Sequence, residues 1–168
     1  MKHTVRLIQV AAFATVAALA IVACSDDNNT TAPEPNGVAA LRAALDPFTS
    51  FTLAKNAGYS TAITDCMSNG DVGAMGVHYA NVTLLDATPD SLHPEALIYE
   101  PSANGEFALV GVEFIVPYAA HSRASAAPEL FGQKFVQNDV FGVWALHVWT
   151  HRTNPSGTFA SWNPRVHC

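Results

Sequence analysis

The segment from Phe107 to Val116 is apolar throughout except at Glu113. A strand that is apolar on both alternating faces is one covered on both sides. Here Phe107, Leu109, Gly111 and Ile115 share one face with Glu113, while Ala108, Val110, Val112, Phe114 and Val116 share the other. An ionised carboxylate buried there without a partner costs on the order of several kcal/mol. Glu113 is therefore protonated, hydrogen-bonded, paired with a cation or bound to a metal. Any fold for this chain has to place a central strand in its core and also supply that glutamate with a partner.

The neighbouring segments supply the rest of a sheet. Ala96 to Glu100 is a second β-rich run, joined to the first through Pro101-Ser102-Ala103-Asn104-Gly105, whose Asn-Gly predicts a tight hairpin turn. Val77 to Leu85 reads as a strand with His78, Ala80, Val82 and Leu84 on one face. Val140 to Thr150 reads as another, with Val143, Ala145, His147 and Trp149 opposite Trp144, Leu146, Val148 and Thr150. Before them, Val38 to Leu45 predicts a short helix, and Asp46 with Pro47 at the first position predicts a second, ended by Gly58. Tyr59 to Gly76 and Tyr118 to Asn138 read as loops, and the residues after Asn154 as a tail of turns and aromatics. The resulting expectation is an α+β domain over residues 38–168, with N-terminal helices packed on a curved, mainly antiparallel β-sheet or small β-barrel.

Three polar residues stand alone on mostly apolar faces of three separate strands: His78, Glu113 and His147. Two imidazoles and one carboxylate form a common ligand set for Zn, Mn or Fe, with positions left for water or substrate. The competing reading of the same residues is a satisfied polar network inside the core. A pocket containing all three separates the first reading from the second. Glu95 and Glu100, with Glu113, offer a different chemistry, a carboxylate pair acting on a glycoside beside Trp144, Trp149 and Trp162. Glu95 and Glu100 flank one strand, however, where exposure to solvent is the expectation, and the tryptophans equally suit packing. His93, His121, His151 and His167 sit in turn-like or terminal contexts and read as surface residues. The nucleotide-binding glycine motifs, the GxSxG elbow and HExxH are all missing.

The chain begins with Lys2 and Arg6, then an apolar run from Val10 to Val22 of roughly a dozen residues, short of the ~20 that span a bilayer. The end of this export segment, Ile21-Val22-Ala23-Cys24, resembles the lipobox of bacterial lipoproteins. That resemblance implies a signal peptide over residues 1–23, cleavage before Cys24 and a diacylglycerol anchor on its sulfur. It also implies an extracytoplasmic domain, at the outer membrane where the cell has one, because Ser25 rather than Asp follows. Residues 24–37 are polar and read as a disordered spacer. With Cys24 acylated, Cys66 and Cys168 remain as an even pair in an oxidising compartment, which predicts a disulfide. The export segment holds two of the eight basic residues and no acidic one, which leaves six against fourteen, a formal charge of −8. Nucleic acid is disfavoured as a partner, since phosphate contacts need clustered Lys and Arg.

Further motifs are Met75-Gly76-Val77-His78-Tyr79, the run Pro94 to Pro101, Val110-Gly111-Val112-Glu113, Leu146-His147-Val148-Trp149, Asn154-Pro155-Ser156-Gly157 and Trp162-Asn163-Pro164. Together they resemble a family of exported bacterial proteins without an assigned activity. The resemblance implies one domain and brings no substrate. Two function classes follow: a tethered module that binds a small molecule or an envelope partner through its aromatic C-terminal quarter, and a metal-dependent enzyme or metal-binding protein using His78, Glu113 and His147. The anchor expectation is checked by intact mass. The exported protein should begin at Cys24 and carry lipid, Cys24→Ala should abolish lipid attachment, and an unlipidated chain with another N-terminus would contradict it.

Overall fold

The computed structural model describes Pro35 and residues 37–168. The expected signal peptide, the acylated Cys24 and the spacer except Pro35 and Gly37 lie outside the described residues. Two short helices, α1 (Val38–Leu45) and α2 (Phe51–Asn56), precede nine strands: β1 (Thr61–Ala62), β2 (Met67–Ser68), β3 (Ala74–Ala80), β4 (Ala96–Pro101), β5 (Phe107–Pro117), β6 (Glu129–Leu130), β7 (Gln133–Lys134), β8 (Val136–Asn138) and β9 (Val143–Val148). Seven strands make one antiparallel sheet in the order β1-β3-β4-β5-β9-β8, with β2 also pairing β3. β6 and β7 form a separate hairpin. The fold is thus α+β with an antiparallel sheet. The sheet is an open path, and among the described residues it closes no barrel. No helix among them is long and apolar enough to cross a membrane.

The long apolar run is central, as its two-sided pattern requires: β5 lies between β4 and β9. Leu97, Tyr99, Val112, Phe114, Val116, Trp144, Leu146 and Val148 are buried in one cluster with Val38, Leu41 and Leu45 of α1 and Ala54 of α2. Ala74, Ile98, Val110 and Trp149 are buried instead with Val166 of the C-terminal tail, and Ala80, Ala96 and Ile115 form a third, smaller cluster. The opposite face of the sheet therefore divides into a part under the tail and a part floored by Ala80, Ala96 and Ile115.

Strict alternation along Phe107 to Val116 is corrected by a bulge. Ile98 pairs with Gly111 and Tyr99 with Leu109, leaving Val110 without a register partner. The extra residue reverses the alternation before it. Leu109 is consequently buried, and Phe107 packed, in the cluster with the helical residues rather than on the face of Glu113. The bulged Val110 carbonyl accepts from the backbone N–H groups of His151 and Arg152, at 3.1 and 3.0 Å. Next to it, a Cβ on Gly111 would lie 2.8 Å from the Val148 carbonyl oxygen, so only glycine fits where β5 meets the end of β9.

Other boundaries move for local reasons. Asp46 does not cap the second helix: Asp46–Thr49 is a 3-10 turn, and Ser50, extended at ψ 105°, accepts from the Leu53 N–H to cap α2. The strand expected over Val77 to Leu85 is displaced toward the N-terminus, and Val82–Leu84 is a 3-10 turn in which the Asn81 side chain accepts from the Thr83 N–H. Within the loop expected over Tyr118 to Asn138, β8 joins the sheet as an edge strand.

The tail is pinned. Cys66 and Cys168 form a disulfide with a Cα–Cα distance of 5.6 Å. Asn163 pairs in both directions with the backbone of Ala74, at 3.0 and 3.1 Å, and the Glu100 carboxylate accepts from the His167 N–H at 2.9 Å. Closing a loop of 102 residues limits the unfolded chain, an effect of up to about 4–5 kcal/mol on the chain-entropy account. Thiol labelling of denatured, unreduced protein with peptide mapping should find neither cysteine reactive. Cys66→Ser with Cys168→Ser should lower unfolding stability by up to about that amount. Quantitative labelling of both cysteines would remove this staple.

Candidate metal centre

The register of the sheet assembles the group. Ala80, Ala96, Glu113 and His147 follow one another across β3, β4, β5 and β9 as paired neighbours, so their side chains share a face. His78 is two residues before Ala80 and points to that same face. In a flat sheet β3 and β9 would stand about 14 Å apart. Two imidazoles reaching toward each other cover most of that distance, and the small Ala96 leaves them room above β4. The Nε2 atoms of His78 and His147 are 3.3 Å apart, with their rings nearly perpendicular at 87°. Glu113 turns one carboxylate oxygen to each: Oε2 is 3.6 Å from His78 Nε2, and Oε1 is 3.6 Å from His147 Nε2. All three residues are buried. Their ligand atoms lie within 4.8 Å of one another, so the group can hold a metal ion.

The outward nitrogen of His78 is also held. Its Nδ1 is 3.0 Å from Thr64 Oγ1, and the same oxygen accepts from the His78 backbone N–H at 3.1 Å. When Nδ1–H donates to this oxygen, Nε2 presents its lone pair toward Glu113 and His147, the tautomer that ligation needs. Thr64 lies in the segment expected to be a loose loop. Its spacing carries no signal, because its place beside His78 follows from β1 and β2 both folding onto β3.

Burial sets the charge states. It pulls His78 down to about 4 and His147 down to about 3, the latter with His78 adding to the effect. It pushes Glu113 up to about 8, with the nearby charge of Glu95 adding to it. Near neutral pH both imidazoles are thus neutral, and Glu113 holds a proton that a cation between the rings would displace.

The group opens to solvent on two sides. One cleft, of about 250 Å³, is lined by His78, Glu113 and His147 together with Thr64, Asn138 and a wall of apolar side chains that includes Met67, Met75 and Phe141. A second, of about 360 Å³, reaches Glu113 and His147 from the side of Phe159 and Trp162. The three polar residues therefore sit in a pocket and are not sealed inside a filled core.

The glycosidase arrangement does not form. Glu95, expected at the surface, is buried, and its Oε2 accepts from the Ile115 N–H at 2.9 Å, in the place of a ladder carbonyl at the end of β4. Burial pushes it up to about 7 against the pull of that hydrogen bond. Glu100 is half-buried and paired with Arg152. Neither lines either of the two clefts that reach Glu113. Trp144 and Trp149 are core residues donating to the carbonyls of His121 and Ala160, while Trp162 lines the second cleft. His93 is exposed beside Asp90, as expected. His121 is 2.8 Å from the Ala126 carbonyl, and His167 uses its backbone N–H on Glu100. His151, expected to be a surface residue, has a largely covered ring 3.3 Å from Asp46 and 2.9 Å from Thr150.

Comparison with protein-family models, with curated proteins and with solved structures finds no match.

The shifts fix a pH dependence for the metal-free domain. Glu113 and Glu95 bind more protons folded than unfolded above their ordinary value of 4.5, so each removes stability as pH rises, up to about 8 and about 7. The two histidines bind fewer protons folded than unfolded below 6.5, so each adds stability as pH rises to that value and nothing beyond it. The two pairs oppose one another between 4.5 and 6.5, and above 6.5 only the carboxylates act. Urea denaturation in chelator should therefore show lower stability at pH 8.5 than at 6.5. In Glu113→Gln that fall should shrink. A wild-type domain equally stable at both values would contradict these charge states.

Proposed function

We propose that this protein is a metal-binding domain whose divalent ion, best matched by Zn, is held by His78 Nε2, His147 Nε2 and the Glu113 carboxylate, with the remaining coordination position open to the cleft. The observation that carries the reading is the spacing of the group. Ligands at about 2.0–2.1 Å from a tetrahedral zinc stand roughly 3.3–3.4 Å from each other. The imidazole nitrogens are 3.3 Å apart, and each faces a carboxylate oxygen at 3.6 Å. The carboxylate distances are longer than hydrogen bonds, so Glu113 faces the space between the rings without bonding to either, while the two ring nitrogens stand within hydrogen-bond range of each other. Mn and Fe accept the same donors and remain the alternatives.

Bound there, such an ion would polarise a ligand oxygen or lower the pKa of a coordinated water. The protein's own part is to keep both imidazoles neutral by burial, to hold the far nitrogen of His78 against Thr64, and to offer one carboxylate for charge balance. The Ile-Val-Ala-Cys end of the export segment supports placing this domain outside the cytoplasm on a lipid tether. A small-molecule binder and a metal-dependent hydrolytic enzyme both fit an open zinc position.

The test is thermal and denaturant unfolding with chelator and with added Zn, Mn or Fe. A tightly bound ion should raise apparent stability by about 2.7 kcal/mol at a hundredfold excess over its dissociation constant. Glu113→Gln and His147→Ala should abolish most of that rise. In chelator, Glu113→Gln should unfold close to wild type, because at neutral pH it replaces a protonated carboxyl of the same volume. If Glu113 is instead half of a structural ion pair, the substitution should cost about 3–5 kcal/mol with or without metal. Unfolding of the wild type that ignores both chelator and metals would end the metal reading.

A further inference from the structure

The walls of the smaller cleft carry more information than its floor. Ile63, Leu85 and Phe141 line it and are 39%, 37% and 52% exposed, so three large apolar side chains meet at one opening. Deeper in, Met67, Met75 and Val143 continue the apolar lining. These residues come from four places in the chain: the β1–β2 segment, β3, the turn after Leu84, and the β8–β9 connection with β9. An apolar mouth assembled from such separate segments and leading to a polar floor is the form of a small-molecule site. Its volume of about 250 Å³ lies below the roughly 300–1,000 Å³ of sites for drug-sized ligands.

The charge balance then selects the head group. Two neutral imidazoles and one carboxylate leave a divalent ion with one uncompensated positive charge. Among the described residues no Lys, Arg or Asp lines this cleft, and Thr64 and Asn138 are its only other polar side chains. Glu95 does not line it, and its carboxylate is engaged by the Ile115 N–H. Resting on the metal reading above, we infer that the cleft binds a small aliphatic carboxylate, its head group on the open position of the ion and its tail along Met67, Met75 and Phe141. The single negative charge neutralises the ion, and the tail replaces water on a surface that would otherwise stay wet and apolar.

Calorimetric titration of the zinc-loaded protein with butanoate, hexanoate, hexan-1-ol and hexylamine tests this. Affinity should rise about fourfold for each added methylene that reaches the wall. Hexan-1-ol and hexylamine should bind at least about tenfold more weakly than hexanoate, a difference of about 1.4 kcal/mol. Phe141→Ala, at an exposed position outside the ligand set, should weaken hexanoate about four- to tenfold while leaving butanoate and zinc uptake as in wild type. Zinc uptake with carboxylate binding that is independent of chain length, or with hexan-1-ol binding as tightly as hexanoate, overturns this inference and leaves the metal site standing. Failure to take up zinc, manganese or iron before any carboxylate is added overturns both.

Discussion

The burial of one carboxylate between two imidazoles on an apolar sheet face is the constraint around which this domain is built. Glu113 costs nothing there only if it is neutral or shares the space with a cation, and the same burial that raises it to about 8 lowers His78 and His147 to about 4 and about 3. A group held in this state is stable without an ion because every member can be neutral. It is receptive to one because removing a single proton leaves two lone pairs and a carboxylate converging on one point. The polar residues are concentrated on the part of the face floored by Ala80, Ala96 and Ile115, where the two alanines leave the room that the imidazoles and the cleft occupy.

Much of the remaining structure serves that placement. Gly111, beside the Val110 bulge, lets β5 lie close against the end of β9, on the pairing that sets Glu113 opposite His147. The cluster shared by the helical residues and the sheet fills the opposite face. The Cys66–Cys168 disulfide and the Ala74–Asn163 pairing hold the tail near β3. They also fix the end of the short segment that brings Thr64 to the far nitrogen of His78. A site on three strands is positioned by backbone ladders, which tolerate less drift than loops.

The three candidate ligands were legible in the sequence because each breaks an apolar pattern locally: Glu113 in a run apolar on both faces, His147 and His78 on mostly apolar faces. The central hairpin was legible from its Asn-Gly turn and the β-rich runs that flank it. What was hidden depends on pairing between distant segments. The bulge that moves Leu109 to the helical cluster comes from the match of β4 to β5 and has no local signature. Glu95 looked like a solvent-facing strand end, yet it replaces a missing carbonyl for Ile115, a need that exists only once β4 and β5 are aligned. Thr64 and Phe141 looked like ordinary loop and strand residues, since nothing near them in sequence indicates that they meet His78 and the cleft.

In the proposed metal-bound state the ring nitrogens and the carboxylate surround an ion rather than each other. Anomalous diffraction at the zinc edge, from crystals of the protein grown with equimolar zinc, tests it most directly. The account expects one strong peak about 2.0–2.2 Å from His78 Nε2, His147 Nε2 and a Glu113 oxygen, with a fourth ligand on the cleft side. A clear map with no peak there, and with Glu113 hydrogen-bonded directly to an imidazole, would contradict it.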